Sequence, residues 1–159
     1  MAKKIDKNIL LVAVDFTAYS KEALLFASNL AAKLEARLLV LHVVHDPAEA
    51  PGFYVKKGEK KKFLQSMEEA AEEMMDEFLT KMRQTYPHQR PIQEASPLLV
   101  VGTPVRRIVE IAEKEKARMI IVGSHGRTGL SHLLVGSKAE RVVQLSPVPV
   151  TVVKTSKKK

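Results

Sequence analysis

Ile9-Leu10-Leu11-Val12-Ala13-Val14 is an unbroken apolar run closed by the carboxylate of Asp15. A run with no polar alternation suits a strand buried on both faces, as in a parallel sheet covered by helices on either side. Beyond it the period changes. Thr17 stands at a helix-capping position, and Ala23, Ala27, Leu30, Ala31 and Leu34 recur every three or four residues. The strand pattern then returns four times. Leu38 to Val44 is stopped by His45-Asp46-Pro47, and Leu98-Leu99-Val100-Val101-Gly102, Met119-Ile120-Ile121-Val122 and Val150-Thr151-Val152-Val153 follow it. Helical patterns separate these runs: Phe63, Met67, Ala70, Met74, Phe78 and Met82; then Thr103-Pro104 with Ile108, Ile111 and Ala112; then Gly136-Ser137 with Ala139, Val142 and Val143. The expected fold class is therefore α/β: a doubly wound, five-stranded parallel sheet with right-handed crossovers, in three α/β/α layers. Ligands of such sheets bind past the carboxyl ends of the strands at the switch point. Asp15, Val43 and Gly123 all fall at or near such ends.

The remaining segments are less specific. Residues 45–62 hold two Pro, two Gly and the cluster Lys56, Lys57, Lys60, Lys61 and Lys62, which suggests a loop. The methionine stripe of the long helix is expected to be core, and its acidic run (Glu68, Glu69, Glu72, Glu73, Asp76, Glu77) a solvated face.

At 159 residues the chain suits a single domain over 1–159, with a core of about 7–153 and basic tails at 1–6 and 154–159. Its formal charge is +8, which invites a nucleic-acid partner. The charge is badly placed for one, since residues 1–7 carry a net +2 and residues 154–159 a net +4. Aromatic residues are 5% with no Trp, a poor supply for base stacking. With no cysteine there is no disulfide framework, thiol nucleophile or cysteine zinc site. No run approaches a membrane span and the opening residues lack a signal-peptide core, so a cytoplasmic protein without membrane contact is expected.

Gly123-Ser124-His125-Gly126, nine further residues, then Gly136-Ser137 form the most informative constellation. A phosphate chain needs several inward-facing N–H groups with no side chain blocking approach. Glycine removes the Cβ and permits positive φ, and a helix start adds free amides and the positive dipole end. Ser124 and Ser137 offer hydroxyls, and Arg127 and Lys138 offer charge. Each such contribution is roughly 0.3–1 kcal/mol, so several must converge. Neither G-x-x-x-x-G-K-[ST] nor a G-x-G-x-x-G after the first strand is present, which disfavours a P-loop NTPase and an ordinary dinucleotide fold.

The spacing G-x2-G-x9-G-S after a fourth buried strand resembles the ATP-binding signature of the universal stress protein family. The resemblance runs from about Lys7 to Val153. It takes in Ile9 to Thr17, Leu41-His42-Val43-Val44, Val101-Gly102-Thr103-Pro104 with Ile108, and Ile120 to Gly126. It implies a Rossmann-like fold akin to the adenine-nucleotide hydrolases, and a binding module for ATP that acts in stress regulation. The cofactor-binding residues it implies are Ala13, Asp15, Val43, Val122, Gly123, Gly126, Arg127, Gly136, Ser137 and Lys138. Asp15 would meet the ribose beside Ala13, the Val43 main chain the adenine, and the glycine segment with Arg127 the phosphates. Gly136, Ser137 and Lys138 would supply amides or hydroxyls. Arg118 departs from the family's usual Asp. Members commonly dimerise through the last strand, so a homodimer over Val150–Val153 is expected.

Other readings compete with these. Asp15 alone is also consistent with a helix cap. His125 lacks a catalytic partner and reads as a loop histidine, and His42 as a satisfied core histidine. His45, His88 and His132 show no metal-ligand spacing, so Mg²⁺ or Mn²⁺ would come only with the triphosphate. The alternative function is a slow ATP hydrolase or nucleotidyl-transfer enzyme of the related adenine-binding folds, although neither S-G-G-x-D-S nor H-x-G-H occurs. A receiver-type phosphorylation switch is weaker, as it needs several acids at strand ends.

Overall fold

Leu10 and Val12 turn to one side of the sheet, Ile9 and Leu11 to the other, and both sides are buried. In the computed structural model, which describes residues 8–46, 54, 56, 58–127 and 135–155, the chain order is β1 (Ile9–Ala13), α1 (Ala18–Leu34), β2 (Arg37–Val44), α2 (Glu59–Thr85), α3 (Arg90–Gln93), β3 (Ser96–Val101), α4 (Pro104–Lys114), β4 (Met119–Gly123), α5 (Ser137–Leu145) and β5 (Val150–Val153). Leu10 and Val12 pack with Ala23, Leu24 and Ala27 of α1 and with Met75, Phe78, Leu79 and Met82 of α2. Ile9 and Leu11 pack with Ile108, Ile111 and Ala112 of α4 and with Ala139 and Val142 of α5. Each aliphatic side chain buried in this way contributes about 1.5–3 kcal/mol, so the continuous apolar run of β1 holds both layers to one sheet. This is the expected three-layer α/β/α arrangement.

The strand order is β3-β2-β1-β4-β5, and all four pairings are parallel. Ala13 pairs with Leu41 of β2 on one side and Val122 of β4 on the other, so the three carboxyl ends lie side by side, with β2 running on past β1 to Val44. β3 begins at Ser96, earlier than expected, and carries Pro97; an edge strand tolerates a residue that cannot donate to a ladder. β5 is the other edge.

Three local expectations need correction. Thr17 occupies the N-cap of α1 without a capping side chain, because its hydroxyl instead donates to Asp15 Oδ1 at 2.6 Å. Lys60, Lys61 and Lys62 lie on α2, which starts at Glu59, rather than in a loop. The stripe of α2 is core only in its second half: Met75, Phe78, Leu79 and Met82 are buried, whereas Phe63 and Met74 are exposed. The acidic run is exposed throughout, as expected. Residues 47–53, 55 and 57 of the expected loop, residues 128–134 between the glycines, and the tails at 1–7 and 156–159 lie outside the described residues.

Candidate functional site

The connection after β1 leads to one side of the sheet and the connection after β4 to the other, so the adjacent carboxyl ends of these strands form the switch point. A cleft of about 410 Å³ opens there. All ten residues singled out from the sequence line it: Ala13 and Asp15 after β1, Val43 on β2, Val122, Gly123, Gly126 and Arg127 at and after β4, and Gly136, Ser137 and Lys138 at the start of α5. Residues separated by more than a hundred positions in the chain thus share one concave surface.

Asp15 is held by its own turn. Its Oδ1 accepts from the Thr17 amide at 3.2 Å, the Thr17 hydroxyl at 2.6 Å and the Ser20 hydroxyl at 2.7 Å, while its amide donates to Ser20 Oγ at 2.8 Å. The turn forces Phe16 to φ 67, a left-handed conformation that a bulky residue rarely adopts and that costs about 1–3 kcal/mol. Packing repays that strain: the Phe16 ring lies 4.3 Å from the His42 ring and 5.8 Å from the Phe78 ring. Oδ2 is left beside Gly126, where an added Cβ would stand 2.9 Å from it.

The glycines act through close approach rather than through the positive φ expected for them. A Cβ on Gly123 would meet Tyr19 Cβ at 2.9 Å and the Tyr19 carbonyl at 3.0 Å, so only glycine lets β4 end against α1. Among the described glycines positive φ occurs at Gly102 (φ 142), before α4. Gly136 has φ −70, and its amide donates to the Ser124 carbonyl at 2.6 Å. The expectation that Gly136 offers its N–H to a phosphate is therefore corrected, because that amide is already committed. The next amides, on Ser137 and Lys138 in the first turn of α5, have no acceptor within the helix and sit at its positive end.

Charge around the cleft favours an anion. Asp15 is the one carboxylate among the described lining residues, against Arg127 and Lys138. Arg127 Nε donates to the Asp15 carbonyl at 3.2 Å, which ties the glycine segment to the β1 turn. On β2, Leu41 accepts from the Val14 amide at 2.8 Å. Alternation along a parallel strand then aims the Val43 N–H and C=O to that same side, beyond the end of β1 pairing at Ala13. A planar hydrogen-bonding ligand would find both groups there.

Several cleft residues were missed in the sequence. His42 was read as a core histidine, and it is partly buried with Nδ1–H donating to the Val14 carbonyl at 2.8 Å, yet it also lines the cleft. Burial pushes its pKa below the ordinary value against the pull of that carbonyl, with Arg127 adding to the lowering and Asp15 opposing it. Ser124, expected to offer its hydroxyl to a phosphate, is instead buried with that hydroxyl in a 3.0 Å hydrogen bond with His125 Nδ1, whose ring lies 5.2 Å from that of Tyr19. Met67, Ala70, Ala71 and Met74 of α2, with Pro104 and Ile108 of α4, give the cleft an apolar side. Helical periodicity alone does not separate a face turned to a core from one turned to a cleft.

Comparison with known proteins bears on this cleft. A model of the Universal stress protein family matches residues 7–154. Universal stress protein MJ0531 of Methanocaldococcus jannaschii is 32% identical over 158 residues, covering 94% of this chain and 83% of its own. Universal stress protein UspA from Lactobacillus plantarum has a similar fold, with a TM-score of 0.74, 22% identity and coverage of 92% of this chain and 97% of its own. The universal stress protein of Archaeoglobus fulgidus, solved in complex with dAMP, superposes with a TM-score of 0.62 at 23% identity, covering 92% and 98%.

Proposed function

We propose that this chain, which belongs to the universal stress protein family, is an ATP-binding member: a cytoplasmic, nucleotide-dependent regulatory module that acts as a homodimer in a stress response. One observation carries the proposal. The ten residues expected to hold ATP line a single cleft at the sheet's switch point, although they come from widely spaced segments. The nucleotide bound by the Archaeoglobus relative points to the same ligand class.

The residues present fit such a ligand. Asp15, pre-oriented by Thr17 and Ser20, keeps Oδ2 for a ribose hydroxyl. The Val43 main chain would meet the adenine edge beside the apolar side of the cleft. The Ser137 and Lys138 amides, the Ser137 hydroxyl and the side chains of Arg127 and Lys138 would hold the phosphates. A single carboxylate in the described lining makes a poor protein cation site, so Mg²⁺ or Mn²⁺ would arrive on the phosphates. The edge strand β5, with Val150, Val152 and Val153 only partly buried, is the surface through which two copies would pair.

The test is to denature the purified protein and identify released nucleotide by mass spectrometry, then to titrate ATP·Mg²⁺ while following thermal unfolding. Ligand at 100 times Kd adds about 2.7 kcal/mol. Ser137→Asp suits as the control, since an acid in the first turn favours the helix while repelling phosphate. No nucleotide and no shift with the parent chain would sink ATP binding, and a shift retained by Ser137→Asp would misplace the phosphates. A monomer by light scattering at micromolar concentration would remove the dimer.

A further inference from the structure

Met67, Ala70, Ala71 and Met74 stand at intervals of three, four and seven along α2, which places them on one face of the helix. All four line the cleft beside Val43 and Val44. Met74 is 40% exposed and Met67 is partly exposed, whereas Met75 and Met82 on the same helix are 1% and 3% exposed in the core. Met119 lies elsewhere, its sulfur accepting from the Thr151 hydroxyl at 3.1 Å. The chain has no cysteine, so thioethers are its only sulfur chemistry, and the cleft holds the accessible ones on α2.

We propose that Met67 and Met74 form an oxidisable wall of the nucleotide cleft, and that their conversion to sulfoxides by a peroxide expels the nucleotide. The inference rests on the ATP-binding proposal above. A thioether is apolar, polarisable and favourable against an aromatic ring, whereas a sulfoxide is polar and draws water. In the reaction the sulfur lone pair attacks one peroxide oxygen. An S–O bond forms, the O–O bond breaks, the sulfur is oxidised by two electrons and the other oxygen leaves as water. A sulfoxide at position 67 or 74 sets an S=O dipole where a base would pack, and each one weakens binding roughly fivefold. Methionine sulfoxide reductases reverse the change, so the wall is a reversible site.

The full-length protein is treated with graded hydrogen peroxide, with and without ATP·Mg²⁺. Sulfoxides are located by peptide mass spectrometry and ATP affinity is measured on the same samples. The expected result is oxidation of Met74 and Met67 ahead of Met75 and Met82, slowed by ATP, with affinity falling roughly twenty-fivefold when both are oxidised. A Met67→Leu/Met74→Leu double variant, whatever its starting affinity, should keep that affinity after the same treatment. Unchanged affinity with both methionines fully oxidised overturns the inference while leaving ATP binding intact. So does equal loss of affinity in the double variant, or oxidation of Met75 as early as Met74. No ATP binding by the untreated chain overturns the ATP proposal and this inference together.

Discussion

From Met75 to Met82, α2 buries Met75, Phe78, Leu79 and Met82 in the core over β2 and β3. From Met67 to Met74, the neighbouring face of the same helix lines the cleft and leaves Met74 exposed. Nothing in composition separates the halves, since both carry methionine at helical spacing beside an acidic outer face. They differ in what lies beneath them. The second half covers close-packed side chains on the sheet, and the first borders open volume past the strand ends. A hydrophobic stripe therefore records a face that avoids water in some state of the protein, whether the covering group is a core or a ligand.

The largest effect should fall on the core half. Leu79→Ala, at a site 2% exposed, is expected to lower unfolding stability by about 2–5 kcal/mol while the added stability from ATP·Mg²⁺ stays the same. Denaturant titration with and without ligand measures both, and a lost ligand effect would mean that the two halves are not separable. Asp15→Ala comes next. Removing Oδ1 leaves the Thr17 and Ser20 donors unpaired, which costs about 1–3 kcal/mol, and it should also cut ATP affinity at least tenfold. Calorimetric titration showing unchanged affinity would remove Asp15 from the site. Met74→Ala should shift stability by less than about 1 kcal/mol yet weaken ATP binding severalfold. The opposite pattern, a large loss of stability with intact binding, would make the first half of α2 core after all.

The smallest effect concerns His42, which joins the two regions by stacking on Phe16, itself packed on Phe78. Its folded pKa is lowered mainly by burial, so the folded state holds it neutral. The unfolded chain then binds more protons between the lowered value and the ordinary one near 6.5. Its contribution to stability is fully present above about pH 6.5 and declines as pH falls toward the folded value. Thermal melts of the parent and of His42→Gln from pH 7.5 to 5 should converge on the acid side, and parallel curves would exclude His42 as the titrating group.

Most of the architecture was legible because burial on both faces leaves a mark in the chain. The five apolar runs at β1, β2, β3, β4 and β5 have few alternatives to central or edge strands of a covered sheet. The ends were less legible, as at Ser96 and Arg37, because pairing to a neighbour extends a strand past its apolar residues. The site was legible wherever chemistry restricts residue type. Gly123 must be glycine against Tyr19, and Asp15 must offer a carboxylate to three donors. The apolar wall was not, since Met67 and Met74 satisfy the same helical pattern in a core as in a cleft. Nor was the engagement of the Gly136 amide with the Ser124 carbonyl, a bond between segments that sequence spacing does not place in contact.

By itself, then, the sequence determined the alternation of buried strands and amphipathic helices, the family, and the residues able to face a phosphate chain, because each depends on local residue chemistry. Tertiary structure alone decided the order β3-β2-β1-β4-β5, the gathering of those residues around one cleft, and the division of α2 into a core half and a cleft half. Those outcomes depend on which surfaces are already filled when a segment packs, and a one-dimensional pattern carries no record of the volume on its far side.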